Sequence, residues 1–447
     1  MAGIARFAWP WTMAVLMAAA GFAPEPTVAK VEVERVISPG GIEAWLVEDH
    51  LVPVIAVAFV FRGGSAVDPE GKEGLAEMAS ALQDEGAGEL DSQAFQQRLT
   101  DLAISLSFSA GRDTYGGDLK TLTENQAEAF ELLRLALTAP RFDAEPVERI
   151  RSQILAVLAR EAEDPDAIAG RNFRRMVFPG HPYGREPKGT PETIRAITAD
   201  DLDGFVARHL ARDNLVVGVT GDITARALAP LLDQTFGALP ETAHIPPVAE
   251  TTPVASGRVQ VEEKDIPQSV VVFGHEGLKR DHPDFIPAYV LNYILGGGGF
   301  TSRLVQEVRE KRGLAYSVYS YLQPMDHAAL VVGGVATENA RAGRSIELIR
   351  GEWRRMRESG PTVEELGRAK TYLTGSYALR FTRTDRIARI LVGVQLDRLG
   401  IDYIDRRNGL IEAVTLADVR RVANRLLDPE ALSFTVVGRP DGLPAGH

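Results

Sequence analysis

Cysteine is absent from the 447-residue sequence, which excludes disulfide bonds and thiol chemistry. Histidine is scarce, and the eight histidines, at positions 50, 181, 209, 244, 275, 282, 327 and 447, include no two that lie three to five residues apart. No helical turn therefore offers a metal ion a histidine pair. The net charge of -12 excludes neither peptides nor protein partners, but it argues against a nucleic-acid surface or a patch for anionic lipid.

Long hydrophobic runs are also missing, except at the N-terminus. There, Arg6 precedes an apolar run from position 7 to 20, and small residues follow as far as Ala29. This pattern predicts a secretory signal peptide over residues 1–29, cleaved between 20 and 29, and a periplasmic or secreted protein with no stable membrane span. The alternative, a simple membrane anchor, is disfavoured because the run is short for a span.

The remaining chain has the length and composition of a globular protein with at least two domains. It is 45% hydrophobic and 25% charged, and it is too long for one ordinary core. Prolines at 240, 246, 247 and 253 interrupt a stretch with little periodicity. We therefore predict a linker over 239–257 between an N-terminal domain (30–238) and a C-terminal domain (258–447).

Short patterns of the first domain recur in the second at nearly constant offsets of 214 to 217 residues. The recurring pairs are Thr123-Glu124-Asn125 with Thr337-Glu338-Asn339, Val147-Glu148 with Val363-Glu364, and Thr198 and Asp201 with Thr415 and Asp418. Such recurrence predicts duplicated domains. Strand-rich and helix-rich stretches in each predict an α+β class, with an antiparallel sheet and helices packed on one face.

The segment from 296 to 316 is the most unusual part of the second domain. It begins with Gly296, Gly297, Gly298 and Gly299, which indicate positive φ angles or a close backbone approach. A helix that Thr301 or Ser302 can cap is predicted to follow and to stop at Gly313, before a strand rich in tyrosine. Arg309 and Tyr316, seven residues apart, lie on either side of the helix end.

Several motifs together resemble the pitrilysin or insulinase family of zinc peptidases, whose inverted motif is His-x-x-Glu-His. The resemblance covers nearly the whole chain after the signal peptide, and it implies two homologous domains that form half of a clamshell. The motifs that carry it are Gly63-Gly64-Ser65, Gly74-Leu75-Ala76, Gly86, residues 178–184, Gly189-Thr190, Ser302-Arg303-Leu304 and residues 313–317.

The zinc motif itself is degenerate in this sequence. Counted from Gly74, the two histidine positions of the family hold Glu77 and Ala81, and the catalytic glutamate position holds Ser80. The distal glutamate ligand falls near Val157. Because zinc needs converging imidazole and carboxylate donors, we expect no metal in this chain.

Arg309 and Tyr316, in contrast, match an arginine and a tyrosine that in this family face the zinc of the opposite domain. The resemblance implies that they bind the peptide or stabilise the negative charge that develops on its carbonyl oxygen. It further implies a heterodimer like the bacterial ones, and similar to mitochondrial processing peptidase, in which the zinc belongs to a homologous partner subunit. Glycines 296–299 would then contact the peptide substrate.

Other interpretations of the sequence remain open. Arg309 could end an ordinary exposed helix and Tyr316 could be an ordinary strand aromatic. The chain could also be a purely structural or peptide-binding subunit with no proteolytic role. An independent hydrolase that uses Ser80 is a third interpretation, but no histidine near it in the sequence could serve as its base.

Overall fold

The computed structural model describes residues 31–443, so the predicted signal peptide lies outside the described residues. Eleven β-strands within this range form two sheets. The strands are β1 (Glu34–Ile37), β2 (Glu43–Glu48), β3 (Val54–Arg62), β4 (Ser105–Ala110), β5 (Thr114–Leu122), β6 (Leu215–Gly221), β7 (Val259–Glu263), β8 (Gln268–Glu276), β9 (Ala315–Pro324), β10 (Ala329–Glu338) and β11 (Ser433–Gly438).

Fourteen α-helices connect and cover these strands in the described range. They are α1 (Leu75–Leu82), α2 (Ser92–Asp101), α3 (Gln126–Thr138), α4 (Ala144–Glu161), α5 (Pro165–Val177), α6 (Pro191–Ala196), α7 (Ala199–His209), α8 (Ala225–Phe236), α9 (Phe285–Asn292), α10 (Ala342–Ser359), α11 (Val363–Gly375), α12 (Thr384–Leu396), α13 (Tyr403–Ala413) and α14 (Leu416–Leu426). Two π-helical turns are also present: Tyr293–Gly297, which includes the first two glycines of the run, and Val305–Glu310, which follows it.

The two sheets have the same strand order, with one extra strand in the first. The orders are β1-β2-β6-β3-β5-β4 and β7-β11-β8-β10-β9. The predicted α+β class is confirmed, but both sheets are mixed rather than purely antiparallel. The reason is that β6 enters between β2 and β3, and β11 between β7 and β8. A strand inserted between two oppositely directed strands must run parallel to one of them.

The repeated sequence patterns occupy corresponding places in the two parts of the chain. Thr198 and Asp201 form a capping box at the start of α7, and Thr415 and Asp418 form the same box at the start of α14. Each of these helices leads into the last strand of its sheet. A reciprocal box satisfies two backbone N–H groups at a helix start, which explains why the same residue pair recurs.

Each sheet is covered on its second face by a helix from the other part of the chain. Helix α12 packs on β3 and β6, where the Cβ of any larger residue at Gly218 would lie 2.4 Å from the Ala388 carbonyl oxygen. Helix α5 packs on β8 and β11, where the Thr435 hydroxyl donates to the Ala169 carbonyl at 2.9 Å. The expectation of helices on one face only was therefore wrong.

The composition of the strands explains why each sheet needs a covering helix from the other part of the chain. In β3, both faces carry apolar side chains, because Ile55, Val57 and Phe59 face the main core while Ala56 and Ala58 face α12. A strand that is apolar on both faces must be buried on both. The domain boundaries at 238 and 258 stay a prediction, since residues from Val31 onward form one compact unit.

Strand β9 forms one edge of the second sheet, and it contains Tyr316, the last residue of the predicted site. Within residues 31–443, no helix has both the length and the apolar composition needed to cross a membrane.

Candidate functional site

Helix α1 carries the degenerate zinc-motif positions and is held at its start by one buried carboxylate. Asp68 accepts hydrogen bonds from the backbone N–H groups of Gly74, at 2.9 Å, and Ala76, at 3.1 Å. Burial raises the pKa of Asp68 to about 7. At Gly74, φ is +94° and a Cβ would lie 2.6 Å from the Lys188 carbonyl oxygen, so this position requires glycine.

Of the polar side chains at the degenerate motif positions, that of Ser80 has a hydrogen-bond partner within the chain. The Ser80 hydroxyl donates to the Glu77 backbone carbonyl at 2.8 Å, so it is not paired with a base. Burial raises the pKa of Glu77, the charge of Lys188 opposes that shift, and Glu161 reinforces it. Lys188 in turn forms an ion pair with Glu161 at 2.5 Å. Ala81 supplies no donor atom.

These residues do not fit a zinc ion. A structural or catalytic zinc site needs at least three protein ligands, whereas here Glu77 on α1 and Glu161 on α4 are joined by the ammonium group of Lys188. Across residues 31–443, no group of three or more His, Asp or Glu side chains could hold a metal. Val157 lies on α4, one turn before Glu161, and contributes no ligand.

Three histidines of the described range, His181, His209 and His275, have structural partners instead. His209 stacks on Phe205 with ring centroids 4.0 Å apart, and the His275 ring accepts a hydrogen bond from Trp353 at 2.9 Å. Burial lowers the pKa of both imidazoles to about 4. His181 accepts the Tyr183 N–H in a turn, at 3.1 Å.

The glycine run packs against edge strand β9 of the same chain. A Cβ at Gly296 would lie 2.2 Å from the Ser320 hydroxyl oxygen and 2.6 Å from the Ser320 nitrogen. Beside it, the Asn292 amide donates to the Ser320 carbonyl at 3.0 Å. The predicted close backbone approach therefore exists at Gly296, and its partner is this chain's own strand.

The other glycines of the run differ in their surroundings. A Cβ at Gly297 would lie 3.0 Å from the Asn292 amide nitrogen, and one at Gly298 would lie 2.7 Å from the Tyr293 carbonyl oxygen. Gly299 has a φ of +56° and open space around it. Only Gly297 and Gly299 of the run are exposed, so these two are the ones that a peptide could contact.

The helix predicted after the glycines is present, but it is wound as a π-helical turn. Val305–Glu310 presents Val305 and Val308 to the core, and Glu307 forms an ion pair with Lys311. Gly313, at φ +60°, ends it by donating its N–H to the Arg309 carbonyl at 2.7 Å. Short π-helical turns are rare and occur frequently at functional sites.

Arg309 and Tyr316 come together on the protein surface. The Arg309 guanidinium carbon lies 5.0 Å from the centre of the Tyr316 ring and 4.7 Å from that of Phe300. Tyr316 is 82% exposed and Phe300 is 65% exposed. Among the described residues, the one ion pair of Arg309 is with its neighbour Glu310, at 3.5 Å. We refer to Phe300, Arg309 and Tyr316 as the arginine stack.

Stacking between two rings occupies the faces of a guanidinium and leaves its N–H groups at the edges. The arginine stack therefore orients donors that can bond a carbonyl or carboxylate oxygen. Sequence reasoning missed Phe300. Its signal was a large aromatic residue directly after four glycines, where a turn predicts a polar residue.

Comparison with known proteins finds peptidases and a peptidase homologue among the relatives of this chain. A model of the peptidase M16 inactive domain matches residues 196–373. The "Non-peptidase homolog YmxG" of Helicobacter pylori is 32% identical over 335 residues, which cover 74% of this chain and 77% of that protein. The mitochondrial-processing peptidase subunit beta of Lentinula edodes is 23% identical over 402 residues, 85% of this chain and 84% of the other.

Solved structures agree. The crystal structure of a peptidase M16 inactive domain from Pseudomonas fluorescens superposes with a TM-score of 0.87 at 25% sequence identity, covering 93% of this chain and all of that one. The identity and coverage of the Helicobacter pylori homologue, together with this superposition, decide the family. The chain belongs to the peptidase M16 family, as a homologue whose described residues contain no metal-binding cluster.

Proposed function

We propose that this chain is the zinc-less subunit of a heterodimeric peptidase. In this proposal its arginine stack completes an active site whose zinc ion is held by a homologous partner subunit. Gly297 and Gly299 would lie against the same peptide substrate, and the chain alone would be inactive. The pair would work in the periplasm or outside the cell, to which residues 1–29 would direct this chain as a signal peptide.

One observation carries the proposal: Tyr316 is exposed and touches the half-buried Arg309, while the Ser80 hydroxyl of α1 is bonded within the chain. A surface tyrosine that is 82% exposed gains little stability from its position. The Arg309 guanidinium has one weak ion pair, with an adjacent residue. Side chains with free donors and a fixed mutual geometry are suited to a ligand outside the chain.

The chemistry required of these residues is hydrogen-bond donation to an oxygen that gains negative charge as a peptide bond is hydrolysed. A guanidinium and a phenol both donate, and bonds to a charged oxygen are roughly twice as strong as neutral ones. The rings of Phe300 and Tyr316 hold the guanidinium before substrate arrives, so little reorganisation is needed. No such donors remain at Ser80 or Ala81.

The direct test is to purify the chain without residues 1–29, alone and together with a zinc-bearing M16 homologue. Complex formation, zinc content and cleavage of quenched fluorescent peptides are measured for each sample. We expect one zinc ion per heterodimer, none in the isolated chain, and cleavage by the heterodimer only. Stoichiometric zinc and cleavage in the isolated chain would overturn the proposal, and so would the failure of any such homologue to associate.

A second candidate function is a structural or peptide-binding subunit with no part in proteolysis. The name of the Helicobacter pylori relative, a non-peptidase homolog at 32% identity, favours it. So does the arginine stack, since a cation held between two rings has a structural reason to be there. Under this alternative, loss of Arg309 leaves the cleavage rate of any complex unchanged.

A further inference from the structure

A cavity of about 650 Å³ lies beside the glycine run, and seven aromatic rings contribute to its lining. Its walls come from β9, the π-helical turn Tyr293–Gly297, and helices α9, α12 and α13. Six tyrosines line it: Tyr289, Tyr293, Tyr319, Tyr321, Tyr377 and Tyr403. Cavities of this size, apolar with a few polar groups, are typical ligand sites. Of its lining residues, the proposed function uses only Gly297 and Gly299.

Arg407 lines this cavity and lacks an anionic partner. The residue is only 6% exposed, and its guanidinium carbon lies 4.1 Å from the centre of the Tyr377 ring. One nitrogen, Nη1, donates to the Leu373 carbonyl at 3.0 Å and to the Asn408 side chain at 3.1 Å. Arg407 forms no ion pair with any residue from 31 to 443. A buried cation without a carboxylate is costly, so an external anion would stabilise it.

The remaining charges of the cavity add to this imbalance. Arg280 and Asp397 neutralise each other in an ion pair at 3.3 Å. Arg380 is exposed at the cavity and, within the described part of the chain, has neither an ion pair nor a side-chain hydrogen bond. Three arginines and one aspartate therefore line the cavity, in a chain whose net charge is -12. A local excess of two positive charges favours an anionic ligand.

We propose that this cavity binds the C-terminal carboxylate of an apolar peptide, with the carboxylate on Arg407 and Arg380 and the side chains against the tyrosines. A C-terminus is favoured over an internal acidic side chain because a peptide can end inside the cavity. A chain that continued beyond an acidic residue would have to pass back out of it. The choice of a peptide over other carboxylates rests on the proposed function. Gly297 and Gly299 line the cavity, and Phe300 of the arginine stack follows them directly.

The test measures binding by the isolated chain, so it needs neither a partner subunit nor cleavage. The probe is the tetrapeptide Ala-Leu-Phe-Leu with fluorescein at its N-terminus, and the matched control is the same peptide with a C-terminal amide. Fluorescence anisotropy gives the two dissociation constants. We expect the free acid to bind roughly 10-fold to 100-fold more tightly, the value of charged hydrogen bonds to a buried cation.

Variants assign that preference to the two arginines. Arg407→Gln should reduce the acid-to-amide ratio to near one, and Arg407→Lys should restore part of it because a cation remains. Arg380→Gln, at an exposed position that the fold does not need, should lower the ratio about threefold. Arg344→Gln should leave the ratio unchanged, because this exposed arginine of α10 does not line the cavity. Circular dichroism and the unfolding midpoint report whether each variant is folded.

Several outcomes would overturn the proposal. Equal binding of acid and amide by the unmodified protein excludes carboxylate recognition even if Arg407→Gln does not fold. Equally tight binding of Ala-Leu-Glu-Leu amide would show that the site recognises internal acidic residues. Tighter binding of dodecanoate would show that it recognises lipid carboxylates. A heterodimer that fails to form while the acid-to-amide ratio persists would refute the proposed function and leave this site standing.

Discussion

Helix α1 and the arginine stack differ in whether their polar side chains have hydrogen-bond partners within the chain. On α1, the Ser80 hydroxyl and the neighbouring Lys188 and Glu161 are all bonded within the chain. In the stack, ring contacts hold Arg309 beside Tyr316, and apart from the ion pair of Arg309 with Glu310 their donors have no partner among the described residues. In the proposed function, the stack supplies chemistry and α1 does not. The comparison can be tested from both sides.

The largest effect that we expect concerns Asp68, which anchors α1. Burial raises the pKa of its carboxyl from 3.8 to about 7, so the folded state binds the proton more tightly than the unfolded state. Its stabilising contribution is complete below pH 3.8 and is lost as the pH rises through 7, by about 4 kcal/mol for a shift of this size. Urea unfolding between pH 4 and 8 measures this slope.

Asp68→Asn is the matched variant, because it keeps the shape and removes the titration. We expect its free energy of unfolding to vary less with pH than that of the unmodified protein over the same interval. Asp84, whose pKa burial raises to about 6, titrates in both proteins and cancels in the difference. Parallel pH profiles for the two proteins would contradict this assignment.

The next effect is on catalysis by the proposed heterodimer. Arg309→Ala should lower turnover about 10²-fold to 10³-fold, the cost of removing one donor to a developing oxyanion. Tyr316→Phe keeps the ring on which Arg309 stacks and removes only the hydroxyl, so it separates donation from stacking. Both are measured as kcat with a quenched peptide, after gel filtration has verified that the pair is assembled.

Lys311→Ala serves as the control for this experiment, because it removes an exposed cation from the same segment without touching the stack. Its turnover should remain within about twofold of the unmodified pair. If Arg309→Ala behaves like Lys311→Ala, the structural alternative is the better description of the chain.

A smaller effect is expected at Gly296, where the glycine run meets β9. Gly296→Ala places a methyl group 2.2 Å from the Ser320 hydroxyl oxygen and should cost about 1 to 3 kcal/mol of unfolding free energy. The control is Gly351→Ala in α10, where a Cβ meets nothing within 4 Å. That change should be neutral or stabilising by about 0.5 to 1 kcal/mol. Equal stabilities would show that β9 does not constrain the run.

The smallest effects belong to α1. Ser80→Ala removes the hydroxyl that donates to the Glu77 backbone carbonyl, and Glu77→Gln removes the carboxylate charge at a degenerate motif position. We expect turnover of the heterodimer to stay within about twofold, measured beside Arg309→Ala in one assay series. A large loss in Ser80→Ala alone would revive the interpretation of an independent hydrolase.

The sequence predicted the elements that local chemistry determines. The recurring residues Thr198 and Thr415 occupy corresponding helix starts, and the tyrosine-rich strand predicted after Gly313 is β9, Ala315–Pro324. Gly313 ends its helix because a positive φ is needed there. Each of these depends on residues within one helical turn or one strand, so the pattern alone contains the information.

What the sequence did not predict depends on distant contacts. Helices α5 and α12 have ordinary amphipathic patterns, and periodicity does not tell which sheet a helix will cover. The π-helical winding of Val305–Glu310 escaped notice because its apolar positions also fit a regular helix. Arg407 carries no local motif, and its significance arises only when Tyr289, Tyr377 and β9 are brought around it. The pairing of Arg309 with Tyr316, in contrast, was predicted from the family resemblance and not from composition.

The exchange of α5 and α12 has a consequence for how the chain is made. The apolar outer face of β3 and β6 is covered by residues 384–396, so it stays open to water until nearly the whole polypeptide has left the ribosome. A fragment that ends in the linker would expose Ala56, Ala58 and Gly218 along a bare sheet surface and would be prone to aggregate. The two repeats share one strand order, but each sheet is covered by a helix of the other repeat. They must therefore acquire their final structures together.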